Sequence, residues 1–156
     1  MDKLLTREGT FSDIETIVKF QKEMALETEN KTLLESSIKL GVTKVIRDKQ
    51  KGTYLIGEYE GDIIGSLLIT YEWSDWRNGW FWWIQSVYVK KRWRRKGVYS
   101  HLYEEVKKLS FSAGNVCGIR LYVEKENKIA QSVYKNLGMY NTKYLLYETE
   151  LSEGIT

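Results

Sequence analysis

The chain has 156 residues, of which 42% are apolar and 29% charged, and this composition predicts one compact domain over residues 1–156. Its formal net charge of +3 is too small for a dedicated nucleic-acid-binding protein, but it suits a protein whose ligand carries several phosphates. A single cysteine excludes an internal disulfide, and no apolar run approaches the roughly 18 residues of a membrane span. The N-terminal residues, MDKLLTREGT, lack the apolar stretch of a secretory signal. We therefore expect a cytoplasmic protein without membrane association.

The first third of the chain predicts a strand followed by two helices. Residues 4–7 form a short β-rich run, and Ser12 with Glu15 three places later has the pattern of a capping box at a helix start. That helix should end near Asn30, which can cap a second helix. The polar stretch 47–52 then closes the second helix.

Three antiparallel strands should follow in series. The runs Thr53–Tyr59 and Ile63–Tyr71 are rich in β-branched and aromatic residues, and the residues between them have the composition of a tight hairpin turn. A second polar connection leads into Trp80–Val89. This order predicts a meander in the middle of the chain.

The last third predicts helix, strand, helix and a closing strand or strand pair. Apolar residues recur at helical spacing after Gly97 and alternate with polar ones over Ile119–Val123, which predicts a helix and then a strand. Helical spacing returns up to Gly138, and the tyrosine-rich run Met139–Leu151 predicts the closing strand or strand pair. A strand–helix–strand unit carries its crossover on one face of a sheet, so one pair of strands should be parallel. The prediction is a mixed α/β fold with a mostly antiparallel twisted sheet of six to seven strands, about four helices and one parallel βαβ step.

The connection between the third strand of the meander and the next helix is strongly basic. Residues 86–100 read SVYVKKRWRRKGVYS, in which Gly97 precedes the helix and Arg94, Arg95 and Lys96 precede the glycine. A strand-to-helix turn directs unpaired backbone N–H groups and the positive end of the helix dipole at one point. The run therefore indicates a pyrophosphate site, although a solvated loop, a nucleic-acid patch or a localisation signal has the same composition.

A second pattern follows about thirty residues later. Residues 119–139 read IRLYVEKENKIAQSVYKNLGM, where Asn127 stands at a helix start and Tyr134 lies one turn beyond Ala130. Asn127 can cap the helix or offer its amide to a ligand, and a small residue at 130 leaves room for a slender ligand beside the phenol. A plain cap and a core tyrosine are the alternatives.

In their order and spacing the two patterns resemble the GNAT superfamily of N-acetyltransferases, specifically over about residues 83–139. The first motif of that superfamily is Gln or Arg, two residues, Gly, one residue, then Gly or Ala, and Tyr99 stands here where a small residue is usual. Its second motif is matched at each position by Asn127, Ala130, Tyr134, Gly138 and Met139.

The resemblance implies a GNAT-like fold, acetyl-CoA as co-substrate, no metal, and direct attack of an amine on the thioester without an acyl-enzyme. It implies that Tyr134 protonates the departing thiolate and that the exposed main chain near Val87 pairs with the pantetheine arm. The implied cofactor-binding residues are Val87, Tyr88, Val89, Arg94, Arg95, Lys96, Gly97, Val98, Tyr99, Ser100, Asn127, Ala130 and Tyr134.

The acceptor is expected to be a primary amine of a small molecule, of polyamine, amino acid or amino sugar type. Glu27 and Glu29 are the preferred candidates for the base that deprotonates the amine, because the loop that follows the first helix usually borders the acceptor pocket in this superfamily. The tryptophans of residues 73–83 fit either an aromatic wall for a cationic acceptor or packing on the sheet.

Two alternative functions remain open at this stage. In an RNA-binding module the basic run would hold phosphates and the aromatic residues would stack on bases, but this leaves the second motif unexplained. A non-catalytic regulator that binds acyl-CoA would keep the fold without turnover. An aromatic-rich sheet edge is also compatible with a homodimer.

Overall fold

The computed structural model describes residues 3–151 of the chain. The chain divides into two compact units, one up to Leu121 and one from Tyr122 onward. The prediction of one domain over residues 1–156 is not tested by this division and stays a prediction. Within residues 3–151, no helix combines the length and the apolar character that crossing a membrane requires.

The first unit contains a five-stranded sheet in the order β1-β2-β3-β4-β5. Its first three pairings are antiparallel, whereas β4 and β5 are parallel and are connected by a helix, as the predicted βαβ step requires. The strands are β1 (Leu4–Glu8), β2 (Thr53–Tyr59), β3 (Asp62–Ser74), β4 (Gly79–Val89) and β5 (Val116–Arg120). The mixed α/β fold class is confirmed.

The hairpin between β2 and β3 has the predicted tight turn. Tyr59 pairs with Asp62, and the two residues between them, Glu60 and Gly61, have φ angles of +50° and +82°. Positive φ at both central residues suits the right-handed twist of the flanking strands.

Three helices cover the two faces of the sheet: α1 (Ile14–Glu29), α2 (Glu35–Arg47) and α3 (Val98–Ala113). On one face, Ile17 of α1 and Val42 of α2 pack in a buried cluster with Ile56 and Leu68 of the sheet. On the other face α3 lies close to the strands, and a Cβ added to Gly65 would stand 3.3 Å from Cγ1 of Val98. The glycine therefore permits the close approach of α3.

The predicted caps of the first two helices are wrong by a few residues. A short 3-10 turn, Phe11–Asp13, precedes α1, and the Asp13 carboxylate accepts the backbone N–H of Thr10 at 2.7 Å, so the capping box is Thr10–Asp13. Asn30 ends α1 with φ +51° and donates its N–H to the carbonyl of Ala25. Asparagine tolerates this left-handed conformation, so Asn30 is a C-cap and α2 begins only after residue 34.

The second unit contains the helix α4 (Lys128–Asn136), as predicted. β5 lies three residues before the strand expected over Ile119–Val123. The predicted closing strand over residues 139–151 is wrong, because these residues form no helix or strand, and the described sheet has five strands instead of six or seven. Alternating aromatic residues are a weak signal, since a strand also needs a hydrogen-bonded neighbour.

Candidate active site

The strand β4 separates from its parallel neighbour halfway along its length. Pairing with β5 runs from Trp80 to Trp83, which faces Arg120, the last residue of β5. β4 itself continues to Val89 and stays paired with β3. Residues 84–89, called here the free part of β4, therefore extend beyond the β4–β5 ladder. Among the described residues of the first unit, no strand pairs with this edge, which is an arrangement that suits an extended ligand.

A β-bulge lies within this free part of β4. The register with β3 shifts between Ser66, which faces Tyr88, and Leu68, which faces Gln85, so β4 contains one extra residue. Ser86 has a φ of +51°, which is uncommon for a residue with a side chain. Bulges redirect backbone groups next to functional sites, and this one precedes the three predicted pantetheine-binding residues Val87, Tyr88 and Val89.

The connection from β4 to α3, residues 90–97, is called here the β4–α3 turn. It begins with a short 3-10 turn, Lys91–Trp93, and reaches the left-handed conformation at Arg95 (φ +60°) and Gly97 (φ +77°). Gly97 is the N-cap position of α3 and provides no side-chain cap. Left-handed residues next to a helix start turn successive N–H groups toward one concave point, which is the geometry of an anion site.

The bulky Tyr99 is accommodated along the helix. Its ring stacks on that of Tyr103 one turn later, with the ring centroids 6.2 Å apart and the planes inclined by 25°. The side chain thus lies beside the next helical turn, while the backbone of Val98, Tyr99 and Ser100 forms the first turn of α3.

Several cations of the basic run are already paired within the first unit. Lys90 and Arg92 bind the carboxylate of Asp62 at 2.6 and 2.5 Å. Lys96 lies over the ring of Trp93, with Nζ 5.1 Å from the centroid. Arg95 has no ion-pair partner in the part of the chain that the structure describes, and its side chain is exposed. The positive potential of the turn therefore comes mainly from Arg95 and Lys96.

Arg94 and Glu27 form an ion pair between the turn and α1. Nη2 of Arg94 lies 2.6 Å from Oε2 of Glu27, and Lys91 contributes a longer contact of 3.4 Å to Oε1. Partial burial alone would raise the pKa of Glu27, but the hydrogen bond and charge of Arg94, helped by Lys91, hold that pKa below its usual value. Glu29 forms an ion pair with Lys31 instead, with its Oε2 2.8 Å from Nζ of the lysine.

Sequence reasoning missed Glu23, which is joined to the free part of β4. Its Oε2 accepts the phenol of Tyr88 at 2.5 Å, and burial, together with this carboxylate, raises the pKa of Tyr88 to about 12. Glu23 also lines a cleft of about 460 Å³ along α1, with Val18, Leu26 and Leu33 as apolar neighbours. The available signal was the i, i+4 spacing of Glu23 and Glu27 on one face of α1.

The tryptophans of β3 and β4 divide between the two faces of the sheet. Trp73 packs edge-on against Trp80 at 5.0 Å and Trp82 against Tyr71 at 5.7 Å, both on the α3 side of the sheet. On the opposite face Trp83 donates its indole N–H to the carboxylate of Glu72. Most of these rings therefore pack against one another rather than forming a single wall.

In the second unit, the residues of the second motif lie on one short helix and directly before and after it. Oδ1 of Asn127 accepts the N–H of Ala130 at 3.1 Å, which is the predicted cap. Tyr134 follows Ala130 by one turn, and burial raises the pKa of its phenol above the usual value. Gly138, with φ +85°, lies just beyond the helix end.

Comparison with known proteins decides the family. The model of the Acetyltransferase (GNAT) family matches residues 14–139, which cover both motifs. The chain belongs to the GNAT family. A possible acetyltransferase from Clostridium difficile is 42% identical in sequence, and its crystal structure matches 96% of this chain and 99% of its own with a TM-score of 0.89.

More distant GNAT-like structures share the fold. A predicted acetyltransferase from Clostridium acetobutylicum, solved with acetyl-CoA, matches 94% of this chain and 96% of its own at 17% identity and a TM-score of 0.78. An aminoglycoside N-acetyltransferase solved with CoA matches 94% of each chain at 14% identity, also with a TM-score of 0.78. The comparison with curated proteins gave no significant match.

Proposed function

We propose that this GNAT protein transfers the acetyl group of acetyl-CoA to a primary amine of a small molecule. The observation that supports this most strongly is the course of β4, which leaves β5 after Trp83, bulges at Ser86 and ends in a turn rich in backbone donors. An extended thioester carrier with a diphosphate at one end needs an unpaired strand edge followed by a turn rich in N–H donors.

On the cofactor side, the pantetheine amides would pair with the main chain of Val87, Tyr88 and Val89. The diphosphate would be held by the β4–α3 turn, through the N–H groups near Gly97 and the charges of Arg95 and Lys96. The match with a protein solved with acetyl-CoA supports this ligand class by analogy of fold.

The reaction would proceed by direct attack of the neutral amine nitrogen on the thioester carbonyl carbon. The N–H of Val87, next to the bulge, would stabilise the oxyanion, and collapse of the tetrahedral intermediate would break the C–S bond. Tyr134 would then give its proton to the thiolate. Its raised pKa keeps the phenol protonated at neutral pH, as a general acid must be.

The acceptor would enter along α1, where the cleft of about 460 Å³ lies. Glu23 lines this cleft and contacts Tyr88, so the cleft is linked to the free part of β4. That Glu27 or Glu29 takes the amine proton stays a prediction. An acceptor of polyamine, amino acid or amino sugar type, a cytoplasmic location and a homodimer also stay predictions.

Two measurements test the proposal. CoA at 100 times its Kd should stabilise the folded protein by about 2.7 kcal/mol and raise the Tm by roughly 5–10 °C for a chain of this length. Acetyl-CoA should then release free thiol with at least one member of a panel of polyamines, amino acids, aminoglycosides and peptide N-termini.

The outcomes separate the proposal from its alternatives. A Tm that CoA does not change, together with RNA binding that weakens steeply with salt, would favour the RNA-binding module. A CoA-dependent Tm without thiol release on any amine would favour a non-catalytic acyl-CoA-binding regulator.

A further inference from the structure

We propose that Glu27 is a positioning residue which, through Arg94, fixes the β4–α3 turn against α1. The inference rests on the proposed acetyl-CoA site and assigns to Glu27 a role other than deprotonating the amine. It also assigns Arg94 to the architecture of the site rather than to direct binding of phosphate.

Two of the three guanidinium nitrogens of Arg94 are engaged by protein groups. Its Nε donates to the carbonyl of Val89 at 2.9 Å, its Nη2 donates to Glu27 at 2.6 Å, and its Cζ lies 5.5 Å from the ring centroid of Tyr88. These partners come from the end of β4 and from α1. A planar guanidinium spreads its donors over three nitrogens in fixed directions and can join separated groups, whereas a lysine ammonium presents its three donors at a single atom.

The same two elements are joined a second time, one helical turn earlier on α1. Glu23 accepts the phenol of Tyr88, and the ring of Tyr88 packs on that of Phe20 with the centroids 4.8 Å apart. Two carboxylates four residues apart thus hold the last residues of β4 and the start of the turn. The segment proposed to pair with pantetheine is therefore fixed before the ligand arrives.

Glu27 is poorly suited to accept a proton from the substrate. Both of its oxygens contact cations, with Oε2 on Arg94 and Oε1 on Lys91. A carboxylate held in this way is a weaker base than a free one, because protonation would break its charge-assisted hydrogen bond. Its retained negative charge instead keeps Arg94 in place.

A double-mutant cycle with Glu27→Gln and Arg94→Gln tests this role. Each single variant should raise the Kd for CoA about ten-fold, as measured by calorimetric titration. The KM for acetyl-CoA should rise to a similar extent. The double variant should be no weaker than either single one, because both changes remove the same contact. The kcat and its dependence on pH should match those of the unmodified protein.

Two further variants complete the experiment. Arg94→Lys keeps the charge but loses the spaced donors that reach Val89 and Glu27, so it should lose CoA affinity as Arg94→Gln does. Glu15→Gln, which removes the ion pair of α1 with Lys39, serves as the control and should leave CoA binding unchanged.

Three results would overturn the inference. A 10²-fold or larger loss of kcat in Glu27→Gln, with a changed pH profile and no such loss in Arg94→Gln, would make Glu27 the general base. Full CoA affinity in Arg94→Lys would make Arg94 a simple charge for the phosphates. Tighter CoA binding by Glu27→Gln would make Glu27 a competitor of the phosphates. Absence of CoA binding by the unmodified protein would instead remove the proposed function itself.

Discussion

The helices α3 and α4 begin within the two sequence motifs, and their first turns are completed in opposite ways. α4 begins after Asn127, whose own side chain accepts the N–H of Ala130. α3 begins after Gly97, which has no side chain and a left-handed backbone. The first N–H groups of any helix need partners from outside it. A side chain of the protein supplies one at α4, whereas Gly97 supplies none at α3, so α3 is the helix start suited to an external anion.

The largest effect is expected from a side chain at the start of α3. Gly97→Glu should abolish the CoA-dependent rise in Tm and the release of thiol. The new side chain would occupy the position proposed for the phosphates, and its carboxylate would repel their negative charge. Differential scanning fluorimetry with and without CoA measures the first effect, and a thiol assay with the best acceptor measures the second.

Gly114 offers a matched control at the other end of the same helix. It also has a left-handed backbone, with φ +74°, and a Cβ added there meets no atom within 4 Å. Gly114→Glu should therefore impose a similar backbone strain, roughly 1–2 kcal/mol, while the CoA-dependent rise in Tm persists. Equal CoA responses in the two variants would show that the start of α3 is not the anion site.

A large effect on turnover is expected from the phenol on α4. Tyr134→Phe should lower kcat by about 10²–10⁴-fold and leave the KM for acetyl-CoA nearly unchanged, because the thiolate would depart without its acid. In the unmodified protein burial raises the pKa of Tyr134, so any loss of kcat from ionisation of this phenol should begin at a higher pH than for an ordinary tyrosine. Tyr140→Phe, at an exposed position after the helix, is the control. Unchanged kcat in Tyr134→Phe would remove the proposed acid.

The sequence predicted the elements around the site better than its contacts. Gly97 and Asn127 were found because spacing and helix-start chemistry are local, and both lie where the motifs indicated. The pair of Arg94 with Glu27 joins residues 67 positions apart, which no local pattern encodes. The bulge at Ser86 was also missed, since a serine with positive φ is held by the register of its neighbours rather than by its own preference.

A smaller effect is expected from replacing Tyr99 with the small residue that is usual at this position of the motif. Tyr99→Ala should lower the free energy of unfolding by about 2 kcal/mol, since it removes the ring that stacks on Tyr103. The affinity for CoA should stay within about two-fold, because the backbone of the first turn carries the proposed binding. Urea denaturation and calorimetric titration measure the two quantities. A large gain in CoA affinity would mean that the tyrosine obstructs the site.

The smallest effect separates the two roles open to Asn127. As a cap, Asn127→Ala should cost about 1 kcal/mol of stability, whereas Asn127→Asp keeps an oxygen acceptor for the N–H of Ala130 and should cost little. As a ligand for a cofactor carbonyl, the side chain would need its NH2 donor, which both substitutions remove. We expect the two variants to differ in urea denaturation and to share nearly unchanged KM values for acetyl-CoA. An equal rise of KM in both would make Asn127 a binding residue as well as a cap, and the contrast between the starts of α3 and α4 would no longer hold.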